Sequence, residues 1–166
     1  MHTLTKRLRY LRSREALATA VLPAIISWKW WATGSDVAWG MRIAALSLLV
    51  WILMQGTLYW HLKLQFIERQ VALPANFSQV FRGFKWSNLI AMCCIAVALF
   101  LEHDSLSDAD MRWSIGLLVG ATLEQINYYQ YQLMYDTRAS FNHLLRHKRL
   151  RKSALGIDIA RSDGKH

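Results

Sequence analysis

The chain has 166 residues, of which 54% are hydrophobic and only 19% charged, with eight Trp, two Pro, two Cys and a formal net charge of +9. Globular domains in water usually carry about a quarter of their residues as charge. The shortage, with the charges gathered between long apolar runs, predicts an all-α integral membrane protein of four transmembrane helices in a small bundle and argues against a separate soluble domain. The basic residues flank apolar runs and are not interleaved with base-stacking groups, which excludes nucleic acid as the expected partner and points to anionic lipid headgroups.

Residues 3–15 form the first predicted element, a basic interfacial helix with Leu4, Leu8 and Leu11 at helical spacing among Lys6, Arg7, Arg9, Arg12 and Arg14. The first apolar run begins late and ends in bulky Trp without a small-residue cleavage site, so it reads as a retained anchor, not a signal peptide. It covers Leu17 to Trp31, or as far as Thr33, with Lys29 snorkelling among Trp28, Trp30 and Trp31. Pro23 within it removes the hydrogen bond to the carbonyl of Thr19.

The second span is Val37 to Trp60, extended by Leu62, Phe66 and Ile67 until Leu73-Pro74 breaks the helix. Asn76-Phe77-Ser78 matches a glycosylation sequon, but its expected cytoplasmic position makes the match uninformative. The third span is Phe84 to Leu101, where the adjacent Cys93 and Cys94 lack metal or redox spacing and are expected to pack as small apolar residues. An acidic loop of Glu102, Asp104, Asp108 and Asp110 leads to the fourth span, Trp113 to Tyr135. Gly116 and Gly120 there have G-x-x-x-G spacing, which lets a second backbone approach. A basic interfacial helix over residues 141–155 and a mobile tail from Gly156 complete the chain, giving one domain over residues 1–155 and a flexible tail over 156–166. Basic segments at both ends and between the second and third spans place both termini in the cytoplasm of a multi-pass protein of the cell membrane, the inner membrane in a bacterium.

The fourth span carries the chemistry. Glu124 lies about 16 Å from Trp113 at 1.5 Å per residue, near the centre of the proposed span, where an ionisable group needs a partner, a proton or water. Glu124, Asn127, Tyr128, Tyr131 and Tyr135 share one helical stripe, and Gln125, Tyr129, Gln132 and Asp136 the next. Depth matching to the second span predicts a polar seam with Gln55, Tyr59, Glu124, Asn127, Tyr128 and Tyr131 as ligand-binding residues. His61, Lys63, Gln132 and Asp136 lie at its cytoplasmic entrance.

These residues suggest a non-enzymatic integral membrane subunit that holds a lipid, a hydrophobic ligand or a partner transmembrane helix. Membrane lipids and other membrane subunits, of the same or a different chain, are the expected partners. A proton-coupled transporter component using Glu124 is the alternative, and a membrane-embedded enzyme acting on a lipid is the second. No catalytic set is legible, because no Ser/His/Asp arrangement, H-E-x-x-H or His cluster accompanies His61. No metal ligands group together, and His61 and His103 fall at opposite ends, so no haem pair forms and the cofactor stays open.

Overall fold

The computed structural model describes residues 2–33, 39–133 and 150–163. The described residues form five α-helices: α1 (His2–Thr33), α2 (Trp39–Arg69), α3 (Phe77–Leu101), α4 (Asp108–Tyr129) and α5 (Ala154–Asp163). The central element is α2, with α1 and α4 packed along two of its sides, α3 bridging α2 and α4, and α5 lying across α3 and α4.

Local chemistry sets the helix ends. At the end of α2, Gln70 takes a left-handed conformation (φ 54°), and Pro74 lies in the turn that leads to α3. The turn closes where the Phe77 amide donates to the Pro74 carbonyl at 2.9 Å. At the start of α4 the Ser107 hydroxyl accepts from the Asp110 amide at 3.1 Å, and Asp108 and Asp110 sit in the first turn against the positive end of the helix dipole. Beyond α4, the Gln132 amide donates to the Arg151 carbonyl at 2.9 Å and the Ser153 amide to the Gln130 carbonyl at 3.1 Å. This short antiparallel pairing brings α5 back onto the bundle.

The core runs along α2 through Ala45, Leu49, Ile52 and Leu53 and meets Leu117 and Ala121 of α4. At the other end Tyr59, Phe77 and Phe81 stack in tilted and edge-on pairs, with Tyr59 and Trp60 ring centroids 4.8 Å apart. Among the described glycines the tightest surroundings are at Gly56, where a Cβ would run into Cζ of the Tyr128 ring. Only a glycine leaves room there for the tyrosine ring to lie over α2. A Cβ at Gly116 would meet nothing within 4 Å, and one at Gly120 would meet only Leu49, at 3.7 Å, so the G-x-x-x-G spacing makes no close crossing.

The four-span architecture expected from hydropathy is corrected. Among the described residues two helices, α2 and α3, are long and apolar enough to cross a membrane, and half of the apolar window of α2 is buried inside the bundle. The basic N-terminal segment and the first apolar run are one continuous helix, α1, with Pro23 inside it. The fourth run belongs to α4, which starts earlier, at Asp108, takes in Asp110 and Arg112 of the expected loop with Glu124 of the run, and stops at Tyr129, short of Tyr135. Asp110 of the expected acidic loop is instead in a buried ion pair with Arg42 of α2, with Nε and Oδ1 2.6 Å apart.

Hydropathy misled because it sums residue types along the chain, whereas here the polar side chains of several helices satisfy one another inside the bundle. The membrane-subunit function, its transporter and lipid-enzyme alternatives, the membrane-lipid and membrane-subunit partners and the multi-pass localisation are withdrawn with the four spans. Two local expectations change as well. Cys93 and Cys94 are exposed, not packed, and from Gly156 as far as Asp163 the chain is part of helix α5. The expected interfacial helix over 141–155 lies mostly outside the described residues.

Gly56→Ala must displace the Tyr128 ring and is expected to cost about 1–3 kcal/mol by overpacking. Gly116→Ala has open space and is expected to be neutral or stabilising by up to about 1 kcal/mol through helix propensity. Urea unfolding followed by circular dichroism measures both, and equal effects at the two glycines would refute the tight crossing at Gly56.

Candidate functional site

A cluster of side-chain amides joins the three inner helices. Asn88 of α3 is 0% exposed. Its Nδ2 donates to Oε1 of Gln55 and to Oε1 of Gln125, each at 2.9 Å, and its Oδ1 accepts from Nε2 of Gln55 at 3.0 Å. The Tyr129 hydroxyl donates to Oε1 of Gln55 at 2.8 Å, and Nε2 of Gln125 donates to the Lys85 carbonyl at 3.1 Å. Spacing of four places Gln125 and Tyr129 on one face of α4, so both reach the same cluster. Both polar side-chain atoms of Asn88 are used. Burial pushes the Tyr129 phenol above its ordinary value, which keeps it a donor.

On the other side of α4 lies a second, half-buried group. The Tyr128 hydroxyl donates to Oε2 of Glu15 on α1 at 2.6 Å, reaching over Gly56. Glu124, one turn before Tyr128, accepts from Nδ2 of Asn127 at 3.3 Å, and Oδ1 of Asn127 accepts from the Leu133 amide at 2.9 Å. Burial raises the Glu15 carboxyl above its ordinary value; the Tyr128 hydrogen bond opposes that rise and the nearby Glu124 charge adds to it. Glu124 is likewise raised by burial, against the Asn127 hydrogen bond. Tyr128 is pushed up by burial and by both carboxylates. Among the described residues no Lys, Arg or His forms an ion pair with Glu15 or Glu124.

The residues expected to line one seam are divided among several places. Glu124, Asn127 and Tyr128 come together and are joined by Glu15. Gln55 turns instead toward α3 and enters the amide cluster. Tyr59 donates to Oδ2 of Asp158 on α5 at 2.8 Å, and Lys63 pairs with the same carboxylate. Burial, with the adjoining Asp158 carboxylate, raises the Tyr59 phenol. His61 is exposed and contacts Gln65 at 3.1 Å. Tyr131 is exposed and makes an isolated bridge with Lys152, while the Gln132 backbone joins Arg151. Asp136 lies outside the described residues. The tight seat at Gly56 is the physical reason for the division, because the Tyr128 ring lies over α2 where a common cavity would need open space.

Sequence reasoning missed Glu15, Asn88 and Asp158 as partners. Asn88 had a signal, a lone amide within the apolar run of α3. Glu15 had a weaker one, the first acid after a run of basic residues. The Arg42–Asp110 pair was legible only as two charges beside apolar runs; in the structure Arg42 also lies 5.4 Å from the Trp30 ring centroid, and Trp30 packs edge-on to Trp39 and Trp113. Comparison with protein families, curated proteins and solved structures finds nothing that matches this chain.

Asn88→Ala strands the Gln55 and Gln125 amides in the core and is expected to cost about 2–4 kcal/mol. A loss below about 1 kcal/mol in urea unfolding would show that the amides find other partners. For the carboxylates the sign follows from their raised folded-state pKa values. The folded protein holds these protons more tightly than the unfolded chain, whose Glu titrates near 4.5. The stability they contribute is full below that value and is lost as pH rises through the folded-state values. Glu124→Gln cannot ionise, so its stability relative to the parent should improve between about pH 5 and about pH 8. The difference in urea midpoint at the two pH values measures this, and an unchanged difference would show that Glu124 titrates as in water.

Proposed function

We propose that this chain is a non-enzymatic binding protein and that Glu15, Glu124, Asn127 and Tyr128 form a site for a positively charged group of its ligand, an ammonium or a guanidinium. The observation that carries this reading is the pair of half-buried carboxylates on α1 and α4, of which Glu124 acts on Glu15, and neither of which has an ion-pair partner among the described residues. Elsewhere in the bundle charges meet in pairs of opposite sign, Arg42 with Asp110 and Lys63 with Asp158.

Half-buried carboxylates without a counter-charge retain a proton or take up a cation. A ligand ammonium replaces the proton, offsets one unit of negative charge as the proton did, and donates charge-assisted hydrogen bonds to both groups. Asn127 and Tyr128 orient the two acids, each through one hydrogen bond. The groups present are carboxylates, an amide and a phenol kept protonated by burial, a set suited to holding a cation and lacking an activated nucleophile. Of the sequence-predicted ligand residues, Glu124, Asn127 and Tyr128 belong to this proposal. Gln55 and Tyr59 support it from behind, through the amide cluster and α5.

Binding and protonation compete at such a site, so affinity should rise with pH. Thermal unfolding with methylammonium and guanidinium ions as probes tests this at about pH 5 and about pH 8. The expected result is stabilisation by a probe at the higher pH that is lost in Glu124→Gln and in Glu15→Gln. A parent protein stabilised by protons alone, with neither probe active at either pH, would make the pair a structural proton-sharing contact and overturn the binding reading.

A further inference from the structure

The side of α3 that faces away from the bundle is apolar over about four turns. Asn88, Met92 and Leu99 turn inward, while Trp86, Ile90, Cys93, Val97 and Phe100 form an outer stripe at steps of four, three, four and three residues. No charged residue occurs between Trp86 and Leu101. Only 17% of the apolar stretch of this helix is buried within the bundle, against 50% for α2, and Phe100 and Leu101 at its end are 76% and 73% exposed. The amide cluster fixes this orientation, because Asn88 points at Gln55 and Gln125 and so turns the opposite face of α3 outward.

With aromatic side chains at about 150–250 Å² each, the exposed part of this stripe, with Cys94 and Leu101 beside it, comes to roughly 700 Å². That exceeds the largest apolar patch of a typical monomer, about 300–600 Å². Covered by a copy of itself, the face removes roughly 1,400 Å² from water, within the range of about 1,200–2,000 Å² for stable protein pairs. Alternating steps of four and three are the 3.5-residue repeat that lets two helices lie side by side at a shallow angle with their stripes in continuous contact. The end of the helix chooses the direction. The turn after α3 exposes Glu102 and Asp104; a parallel pair sets these like charges against their own copies, whereas an antiparallel pair takes the two turns to opposite ends and opposes the helix dipoles.

We propose that the outer face of α3 is the contact between two copies of this chain, which pair antiparallel about a two-fold axis near the middle of the stripe. Such a contact sets the residues at the axis against their own counterparts. Cys93 and Cys94 stand at the middle of the run from Trp86 to Leu101, so the thiols of the two copies come together at the centre, while Trp86 of each copy lies toward Phe100 and Leu101 of the other. The thiols thus report on the contact directly. The pairing is independent of the carboxylate site, since Glu15 and Glu124 belong to α1 and α4 and take no part in it.

Sedimentation of the full chain in reducing buffer without detergent, paired with cross-linking by a short bismaleimide, tests the contact. The parent should sediment as a dimer at micromolar concentration and give a covalent dimer. Val97→Glu puts a carboxylate of each copy into the apolar contact and should weaken dimerisation by about tenfold or more, whereas Val97→Leu should leave the dimer in place. Cys93→Ser combined with Cys94→Ser should abolish the cross-link and keep the dimer. Circular dichroism and urea midpoints establish that the variants fold. Stabilisation of Val97→Glu by methylammonium or guanidinium, as in the parent, separates this outcome from that of the cation site. A parent that stays monomeric at about 100 μM overturns the proposal. Thiols protected from maleimide in that monomer would assign the face to another segment of the same chain, and flotation with phosphatidylcholine vesicles would assign it to lipid. A dimer that neither cross-links nor responds to Val97→Glu overturns the proposal too, because another surface then carries the contact, and assembly beyond the dimer overturns the closed two-fold pair.

Discussion

The three-way amide contact at Asn88 constrains the rest of the bundle. A buried amide that loses its partners costs about 1–3 kcal/mol per group, so α2, α3 and α4 must meet in the register that lets Gln55 and Gln125 reach Asn88 together. Apolar side chains can slide past one another by a turn at modest cost, whereas this contact admits one alignment. Once α2 and α4 are so aligned, Gly56 stands opposite Tyr128, the ring lies over the glycine, and its hydroxyl reaches Glu15 of α1. Tyr129, the next residue, turns toward Gln55. One satisfied polar cluster thereby sets the geometry on both sides of α4.

Ion pairs mark the two ends of this arrangement. At one end Arg42 and Asp110 are buried, with side-chain exposures of 5% and 3%, and Arg42 lies over Trp30, which packs edge-on to Trp39 and Trp113. Desolvation offsets much of the attraction in such a pair, so its contribution lies more in fixing which helices meet than in net stability. At the other end Lys63 and Tyr59 of α2 share Asp158 of α5, which fastens the C-terminal helix across the bundle. Against this pattern of paired charges, Glu15 and Glu124 are conspicuous. Their burial and their closeness favour protonation, and a proton held against solvent is one that a cation can replace.

Glu15 and Glu124 lie on the side of α4 where α1 packs near Tyr128, and Gln125 and Tyr129 enter the amide cluster from the next face. Gln125 ties α4 to α3 twice, since it holds both Asn88 and the Lys85 carbonyl. A shift of α4 along its axis would be resisted by the amide cluster before it reached the carboxylates. The carboxylate pair is thus held by contacts that its own charges do not supply.

The sequence by itself determined that the chain is helical, where its apolar runs lie, and that residues 124–132 carry an unusual density of amides, carboxylate and phenols. It determined these because helix propensity, apolar spacing and proline or serine boundaries act over a few neighbouring residues. It could not determine which polar groups meet. Glu15 and Tyr128 are 113 positions apart, Asn88 and Gln125 are 37, and Tyr59 and Asp158 are 99. A hydropathy window averages over all faces of a helix, so it read polar groups that satisfy one another inside a bundle as a seam within lipid, and charges that pair with one another as the flanks of membrane spans. Tertiary structure alone decided those pairings, because a buried hydrogen bond depends on helix register and on the small volume at Gly56, and neither is a property of any single segment.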